Sequence, residues 1–285
     1  MGYHEGEIEA QRRAGVAAAA ARLEGLPRAE MPPAAQDFVA DQRLAIVAST
    51  DRRGRLWASA LTGPAGFLRA IDARTLRARA RPAPGDPLGQ TLDHESRVGL
   101  LIIDPGSRRR MRVNGRARWT AEDELEVLTE EVYANCPKYI RRRAPDGGAP
   151  AAAAAPRRAT VLSDAARAIV AGADTLFIAS RHPLGGTDAS HRGGDAGFVR
   201  MERSADGSDG LRIPDYAGNN MFNTLGNLIV EPRAGLLFLD FERGGALQLT
   251  GTCELVWGEA RREIGFRVEE AVELPGVLGY RWRSL

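Results

Sequence analysis

Only two cysteines, Cys136 and Cys253, occur in the 285 residues. They are too few for a disulfide framework, and their spacing fits no zinc pattern. No run of about 18 apolar residues is present that could span a bilayer. The opening residues Met1–Gln11 carry Glu5, Glu7 and Glu9 with no apolar stretch behind a basic end, so no secretion signal is expected and the chain reads as soluble and cytoplasmic. A net charge of +2 is close to neutral. The basic clusters Arg108–Arg112 and Arg141–Arg143 therefore read as solvated loops, because nucleic-acid patches usually come with a more basic domain. No Gly-x-Gly-x-x-Gly follows a strand, and neither a Walker-type Gly-Lys pair nor a Gly-x-Ser-x-Gly elbow occurs. The four histidines, His4, His94, His182 and His191, do not cluster at ligand spacing, so no metal site is expected. Cys136, beside Lys138 and Tyr139, reads as a packed cysteine more readily than as a reactive thiol. Ser190 and His191, adjacent on a strand, would point to opposite faces and make a poor nucleophile and base.

What the chain does have is a long internal repeat. Leu44–Leu68 reads again as Thr175–Val199 at an offset of 131, with nine of 25 pairs identical, among them Ser59/Ser190, Gly63/Gly194 and Gly66-Phe67/Gly197-Phe198. Thr91-Leu92 matches Thr224-Leu225, then Gly99-Leu100-Leu101 matches Gly235-Leu236-Leu237 and Gly115 matches Gly251. The order is kept while the offset grows from 131 to 133 to 136, as expected of a duplicated domain that has gained small loop insertions. The period is too long for a solenoid, whose units run to about 20 to 50 residues.

Four regions follow: a helical segment at 1–36, a first copy at 37–143, a Pro- and Ala-rich linker at 144–160, and a second copy at 161–285. Glu7–Leu26 predicts a helix ended by Gly25 and Pro27. Leu44–Ser49, Trp57–Leu61, Val98–Ile103 and Arg112–Trp119 predict strands, and Glu122–Tyr133 a helix. In the second copy Ser163 is the candidate cap of a helix over Ser163–Ala171. Thr175–Ser180, Phe198–Arg203, Leu211–Pro214, Gly235–Phe241 and Ala246–Trp257 predict strands, with one short helix over Asn220–Val230. Short strands joined by Gly-bearing turns argue for small β-barrels in a mainly β, α+β chain, and the missing strand–helix alternation argues against a Rossmann fold.

The copies are unequally equipped. After the shared serine the first continues Ala60-Leu61-Thr62-Gly63, whereas the second has His191-Arg192-Gly193-Gly194. Asn220, Asn223 and Asn227 would share one face of the short helix, beginning at an N-terminus behind Gly218 where free amides and the helix dipole favour a phosphate. Arg192 could supply the charge. The alternative is that Asn219 or Asn220 merely caps the helix while the other amides face water.

At these residues the sequence resembles the pyridoxamine 5′-phosphate oxidase-like family of FMN-binding split β-barrels. The resemblance is carried by Asp188–Val199, Ile213–Asn227 and Glu231–Phe238, and it covers both copies. It implies two tandem split barrels packed as an intramolecular pseudo-dimer, with the second copy gripping FMN and the first, its own loop lost, forming the opposite wall. The implied cofactor residues are Ser190, His191, Arg192, Gly193, Asn219, Asn220, Asn223, Thr224 and Asn227, with Phe198, Tyr216 and Trp282 as walls. Where the family places Arg or Lys at the start of the helix, Asn223-Thr224 stand here; the charge is then expected from Arg192, with Lys138 and Arg281 behind it. The implied activity is an FMN-dependent oxidoreductase acting on a small substrate, with a nicotinamide cofactor as electron donor and His191 as proton donor. The alternatives are a flavin-binding or sensing protein without turnover, or a haem binder using His182 or His191. Whole chains could still pair as homodimers; no nucleic acid or membrane partner is expected.

Overall fold

A computed structural model describes residues 2–92, 96–147, 154–203, 207–258 and 261–285. Three short helices open the chain: α1 (Glu5–Arg13), α2 (Ala17–Ala21) and α3 (Pro33–Ala40). Strands β1 (Leu44–Thr50), β2 (Leu56–Thr62), β3 (Leu68–Ala70) and β4 (Thr75–Ala78) follow, then a 3₁₀ turn at Pro87–Gln90, then β5 (Ser96–Asp104), β6 (Arg109–Trp119) and β7 (Leu125–Ala134). Two short strands, β8 (Arg143–Pro145) and β9 (Arg157–Ala159), flank the linker. The second half runs α4 (Asp164–Gly172), β10 (Thr175–His182), β11 (Gly186–Gly193), β12 (Arg200–Arg203), β13 (Asp209–Asp215), α5 (Asn223–Val230), β14 (Arg233–Leu239), β15 (Ala246–Trp257), β16 (Arg262–Leu274) and β17 (Trp282–Ser284). Among the described residues, no helix is long and apolar enough to cross a membrane.

The repeat in sequence is a repeat in topology. One sheet has the order β2-β1-β5-β6-β7-β4-β3 and the other β11-β10-β14-β15-β16-β13-β12, the same path taken twice, with β9 added beside β16. Even the irregularities correspond: the β6–β7 register shifts between Asn114 and Gly115, and the β15–β16 register between Thr250 and Gly251. These are the two split barrels of a mainly β pseudo-dimer.

Strand periodicity explains how the barrels join. In β1, Ala45 and Val47 enter the core of the first barrel, whereas Leu44, Ile46 and Ala48 enter a separate core between the barrels. In β10, Leu176 and Ile178 face the second barrel's core and Phe177 and Ala179 the shared one. Strands buried on both faces read as unbroken apolar runs, which is why both were legible. Between the barrels, backbone meets backbone. A Cβ at Gly99 would strike the backbone of Thr187 and Asp188, and a Cβ at Gly235 would lie 2.6 Å from the Leu56 carbonyl oxygen and 2.8 Å from the Trp57 Cα.

Several expectations are corrected. Glu122–Tyr133 is not a helix: β7 buries Leu125, Val127 and Val132 and pairs with β6 along its length. Its glutamates, good helix formers in isolation, instead meet arginines across the sheet, Glu126 with Arg77 and Arg118. The segment Glu7–Leu26 breaks after α1, where Gly15 takes a φ of 67°. Strand β16 was not anticipated. Ser163 does cap α4, accepting from the Ala166 N–H at 3.0 Å. Residues 148–153 of the expected linker, and His94, lie outside the described residues.

The first copy's counterpart of the cleft-facing polar groups is filled from within. Ser59, at the position of Ser190, donates to Asp86 Oδ1 at 2.6 Å, and Leu88 N–H donates to the same oxygen at 2.8 Å. Gln248 Nε2 donates to Asp86 Oδ2 at 3.0 Å and to the Ala58 carbonyl at 2.9 Å. Val277, Leu278 and Trp282 join the shared core next to Ala60, and Trp282 packs edge-on against Phe241 with ring centroids 6.2 Å apart. Burial raises the Asp86 pKa despite these donors.

Two outcomes follow. Gly99→Ala and Gly235→Ala should each destabilise the fold by about 1–3 kcal/mol in urea unfolding through overpacking, whereas Gly25→Ala, with open space around it, should not. Gln248→Leu should cost about 1–3 kcal/mol at neutral pH by stranding buried acceptors. A carboxyl whose folded pKa is raised loses stability as pH rises above its unfolded value, and removing a donor raises it further. The Gln248→Leu deficit should therefore shrink as unfolding is measured at pH values falling toward 4, and a pH-independent deficit would contradict the role given to Asp86.

Candidate functional site

A cleft of about 110 Å³ opens between the barrels, walled by the end of β11, the loop from Asp215 to Phe222 and the first turn of α5. The first barrel contributes Arg110 and Arg112 of β6 and the segment from Asn135 to Tyr139. The β11 wall comes close to that segment: a Cβ at Gly193 would collide with the Tyr139 carbonyl, so this position requires glycine.

The loop has an unusual backbone. Asn220 and Phe222 lie in the left-handed region at φ 64° and 63°, a conformation Asn tolerates and Phe adopts only at a cost. Asn219 Oδ1 accepts from the Met221 N–H at 3.1 Å, closing a local turn. The helix consequently begins at Asn223, not at Asn220, and no side chain caps it. Its first-turn N–H groups gain no side-chain acceptor, the arrangement that suits an anion.

The electrostatics are dominated by guanidinium groups. Arg112 is buried and donates to Asp188 Oδ1 at 2.8 Å, to the Tyr133 hydroxyl at 2.9 Å and to Ser190 Oγ. Burial opposes its charge, but Tyr133 and Asp188 outweigh that and push its pKa up. Asp215 lies 3.5 Å from Arg192 and 3.0 Å from Arg262. Arg110 has no carboxylate partner among the described residues; burial, then repulsion from Arg192 and Arg112, lowers its pKa to about 10. Arg192 is lowered too, by burial and by Arg112 and Arg262 against Asp215. The Nε atoms of Arg110, Arg112 and Arg192 and Nδ1 of His191 are buried without a hydrogen-bond partner. Lys138, the only lysine of the chain, also lines the cleft.

Of the residues named from sequence, Ser190, His191, Arg192, Gly193, Tyr216, Asn219, Asn220, Asn223, Thr224 and Lys138 come together around this cleft. Thr224 Oγ1 donates to Ser190 Oγ at 3.0 Å. Asn227 does not line it: one turn deeper, it donates to Asp188 Oδ2 at 2.6 Å and Ser180 Oγ at 3.0 Å, and its Oδ1 faces His4 Nε2 at 3.1 Å. Trp282 and Arg281 lie along a separate groove near α4, and Phe198 packs against the second barrel's core. The surroundings of His191, the expected proton donor, disfavour its charged form. Burial, followed by Arg110, Arg192 and Arg143, drives its pKa well below the ordinary value, so near neutral pH the ring carries no proton to give as an imidazolium.

Arg110 and Arg112 were missed because Arg108–Arg112 read as a solvated loop. They stand two apart on a strand, so both turn inward while Arg109 stays exposed. The repeat offset of 136 pairs Arg112 with Gln248, and in the structure the two bond to the matching serines, Ser190 and Ser59. His4 and His182 stack with ring centroids 4.3 Å apart beside Glu5, a cluster that linear spacing could not show. Each Nδ1 accepts backbone N–H groups and each Nε2 faces an oxygen, Asn227 Oδ1 for His4 and Glu5 Oε1 for His182, and the ligand atoms of His4, Glu5 and His182 lie within 4.8 Å of one another.

No curated protein matches the chain. A family model described as pyridoxamine 5′-phosphate oxidase matches residues 31–159. Similar solved structures include a putative pyridoxamine 5′-phosphate oxidase from Lactobacillus delbrueckii, 15% identical, covering 38% of this chain and 98% of that one at a TM-score of 0.30. An FAD-binding protein from Mesorhizobium loti is 9% identical, covering 42% of this chain and 99% of that one at 0.29. A heme storage protein from Vibrio cholerae is 12% identical, covering 41% and 96% at 0.28. The family match falls on the first copy, whereas Asp188–Val199, Ile213–Asn227 and Glu231–Phe238 lie in the second, and the two copies share one strand order. Over residues 31–159, the first copy, the chain is thus similar to the pyridoxamine 5′-phosphate oxidase family.

Proposed function

We propose that the chain binds one FMN in the cleft between its barrels and acts as an FMN-dependent oxidoreductase on a small substrate, with a nicotinamide cofactor as electron donor. The observation that carries this reading is buried Arg110, which has no carboxylate partner among the described residues and is repelled by Arg112 and Arg192, the Nε atoms of all three lacking partners. Such a cluster is costly unless an anion completes it. The first barrel supports the same reading by substitution: at the corresponding place the Asp86 carboxylate receives a serine hydroxyl, a Gln248 amide and a backbone N–H, so the chain supplies there the anion that the second barrel would take from a ligand.

The donor set fits a phosphate. Arg110, Arg192 and Ser190 would hold its oxygens, with the first turn of α5 behind them. About 110 Å³ is well below the ~300–1,000 Å³ of pockets that enclose a drug-sized ligand, so the enclosed part takes the phosphate end and the ring belongs at the mouth. There Tyr139 and Tyr216, half-exposed with ring centroids 5.3 Å apart, offer apolar faces. A bound flavin would supply hydride and electron transfer. The chain's own residues would bind, orient and exclude water, and His191, held neutral, could accept a hydrogen bond at Nδ1. In this reading residues 161–285 grip the cofactor, and residues 37–143 contribute charge through Arg110 and Arg112 as well as a wall.

Purified protein should show a flavin spectrum or take up FMN to about one per chain; a ratio near two, or no uptake, would contradict the proposal. Arg110→Ala and Arg192→Ala should each weaken FMN binding about ten- to a hundredfold, the value of a charge-assisted hydrogen bond, in flavin fluorescence titrations. Riboflavin, which lacks the phosphate, should bind wild type and variants alike.

A further inference from the structure

The loop that shapes the cleft is held from outside by α1, a helix distant in sequence. Gln11 Nε2 donates to the Met221 carbonyl at 3.1 Å, between the two left-handed residues Asn220 and Phe222. Glu7 Oε1 accepts from Asn223 Nδ2 at 2.5 Å, and Glu7 Oε2 accepts from the His4 N–H at 3.1 Å. Glu7 and Gln11 are 6% and 4% exposed, so these bonds are made away from water. The helices touch backbone to backbone: a Cβ at Gly226 would lie 2.6 Å from the Glu7 N, and one at Gly6 would strike the Gly226 carbonyl. Asn223 also accepts from the Tyr133 hydroxyl at 3.4 Å, and Tyr133 in turn receives Arg112. A backbone with two non-glycine residues in the left-handed region persists only where its surroundings hold it.

We propose that α1 is a strap that positions the anion site: Glu7 and Gln11 hold the loop from Asn220 to Asn223 in the conformation that presents α5 to the cleft. Anion affinity then depends on α1 being docked, and by linkage an anion in the cleft tightens α1. The inference rests on reading the cleft as an anion site, not on the anion being FMN. Glu7 makes the coupling sensitive to pH. It faces Asp188 on β11, Glu131 on β7, His4 and Tyr3 on its own segment, and the amide of Asn223; burial first, then Asp188, brings its pKa to about 7. Below that pH its carboxyl is neutral, and above it a negative charge appears beside an anion site, so anion affinity falls as pH rises through about 7.

Sulfate, which does not titrate in this range, is the probe. Its affinity is read from the sulfate-dependent rise in melting temperature at pH 6 and pH 8, and loop order from the rate of chymotryptic cleavage at Tyr216 and Phe222. Glu7→Ala and Gln11→Ala should raise the cleavage rate and weaken sulfate binding about three- to tenfold, the value of one hydrogen bond. Glu7→Gln should restore most of the protection, and its sulfate affinity should no longer fall between pH 6 and pH 8 as that of the wild type does. Wild-type cleavage and sulfate affinity in both alanine variants would overturn the proposal, as would a wild type that does not respond to sulfate. If an alanine variant fails to fold, the pH profile of Glu7→Gln decides alone: one that matches the wild type counts against the strap. A chain that couples α1 to sulfate yet takes up no FMN would sink the flavin reading and leave this one standing.

Discussion

Everything in this molecule depends on two barrels meeting backbone to backbone. Gly99 against β11 and Gly235 against β2 are the same contact made twice, related by the internal repeat, and neither tolerates a side chain. That closeness has two consequences. It buries the second faces of β1, β5, β10 and β14, so the shared core is as apolar as the barrel cores. It also brings β6 of the first barrel within reach of β11 of the second, so Arg112 can touch Asp188 and Ser190 across the interface. A looser junction would leave Arg110 and Arg112 in solvent.

Duplication within one chain frees the two equivalent places to diverge, and they have done so in opposite directions. At one, Arg112 bonds to Ser190 with Arg110, Arg192 and Lys138 nearby. At the other, Gln248 bonds to Ser59, Asp86 fills the anion position, and Val277, Leu278 and Trp282 pack in apolar surface. A symmetric homodimer cannot make this division, because any residue that closes one site closes both. The first barrel is thus no passive wall: its own polar position is filled by Asp86, and its Arg110 and Arg112 line the cleft beside the second barrel.

How much of this was legible in the chain follows from what each element depends on. Strands buried on both faces, such as Leu44–Ser49 and Thr175–Ser180, carry their signal in their own residues. The repeat then fixes the matching strand order, and most cleft residues of the second copy stood in a contiguous polar stretch. Glu122–Tyr133 misled because glutamate favours helices locally, while the arginines that hold β7 in a sheet come from β4 and β6. Arg110 and Arg112 were hidden for the same reason: alternation on a strand turns a run of arginines half inward, which composition alone does not reveal. Asn227 and Trp282 were placed by helical phase and by residue type, and tertiary packing put one behind the cleft and the other in the shared core. Gln11 and its partner Met221 are 210 residues apart, and nothing local marks the pairing.

The cleft and the strap together set an electrostatic balance that neither has alone. On one side of Asn223 stand Arg110 and Arg192, which burial and repulsion from neighbouring guanidinium groups push toward losing their protons. On the other stand Glu7, Glu131 and Asp188, with burial and their mutual repulsion pushing Glu7 and Glu131 toward gaining them. Arg112 and Asp188 join the two sets directly, and Tyr133 and Asn223 join them through neutral hydrogen bonds. An anion entering the cleft relieves the cationic side and burdens the acidic one. Its full gain is available only while Glu7 is protonated and α1 remains seated. The site is therefore tuned by residues that never touch its ligand, because in a low-dielectric interior an added charge is felt by every buried titratable group within reach.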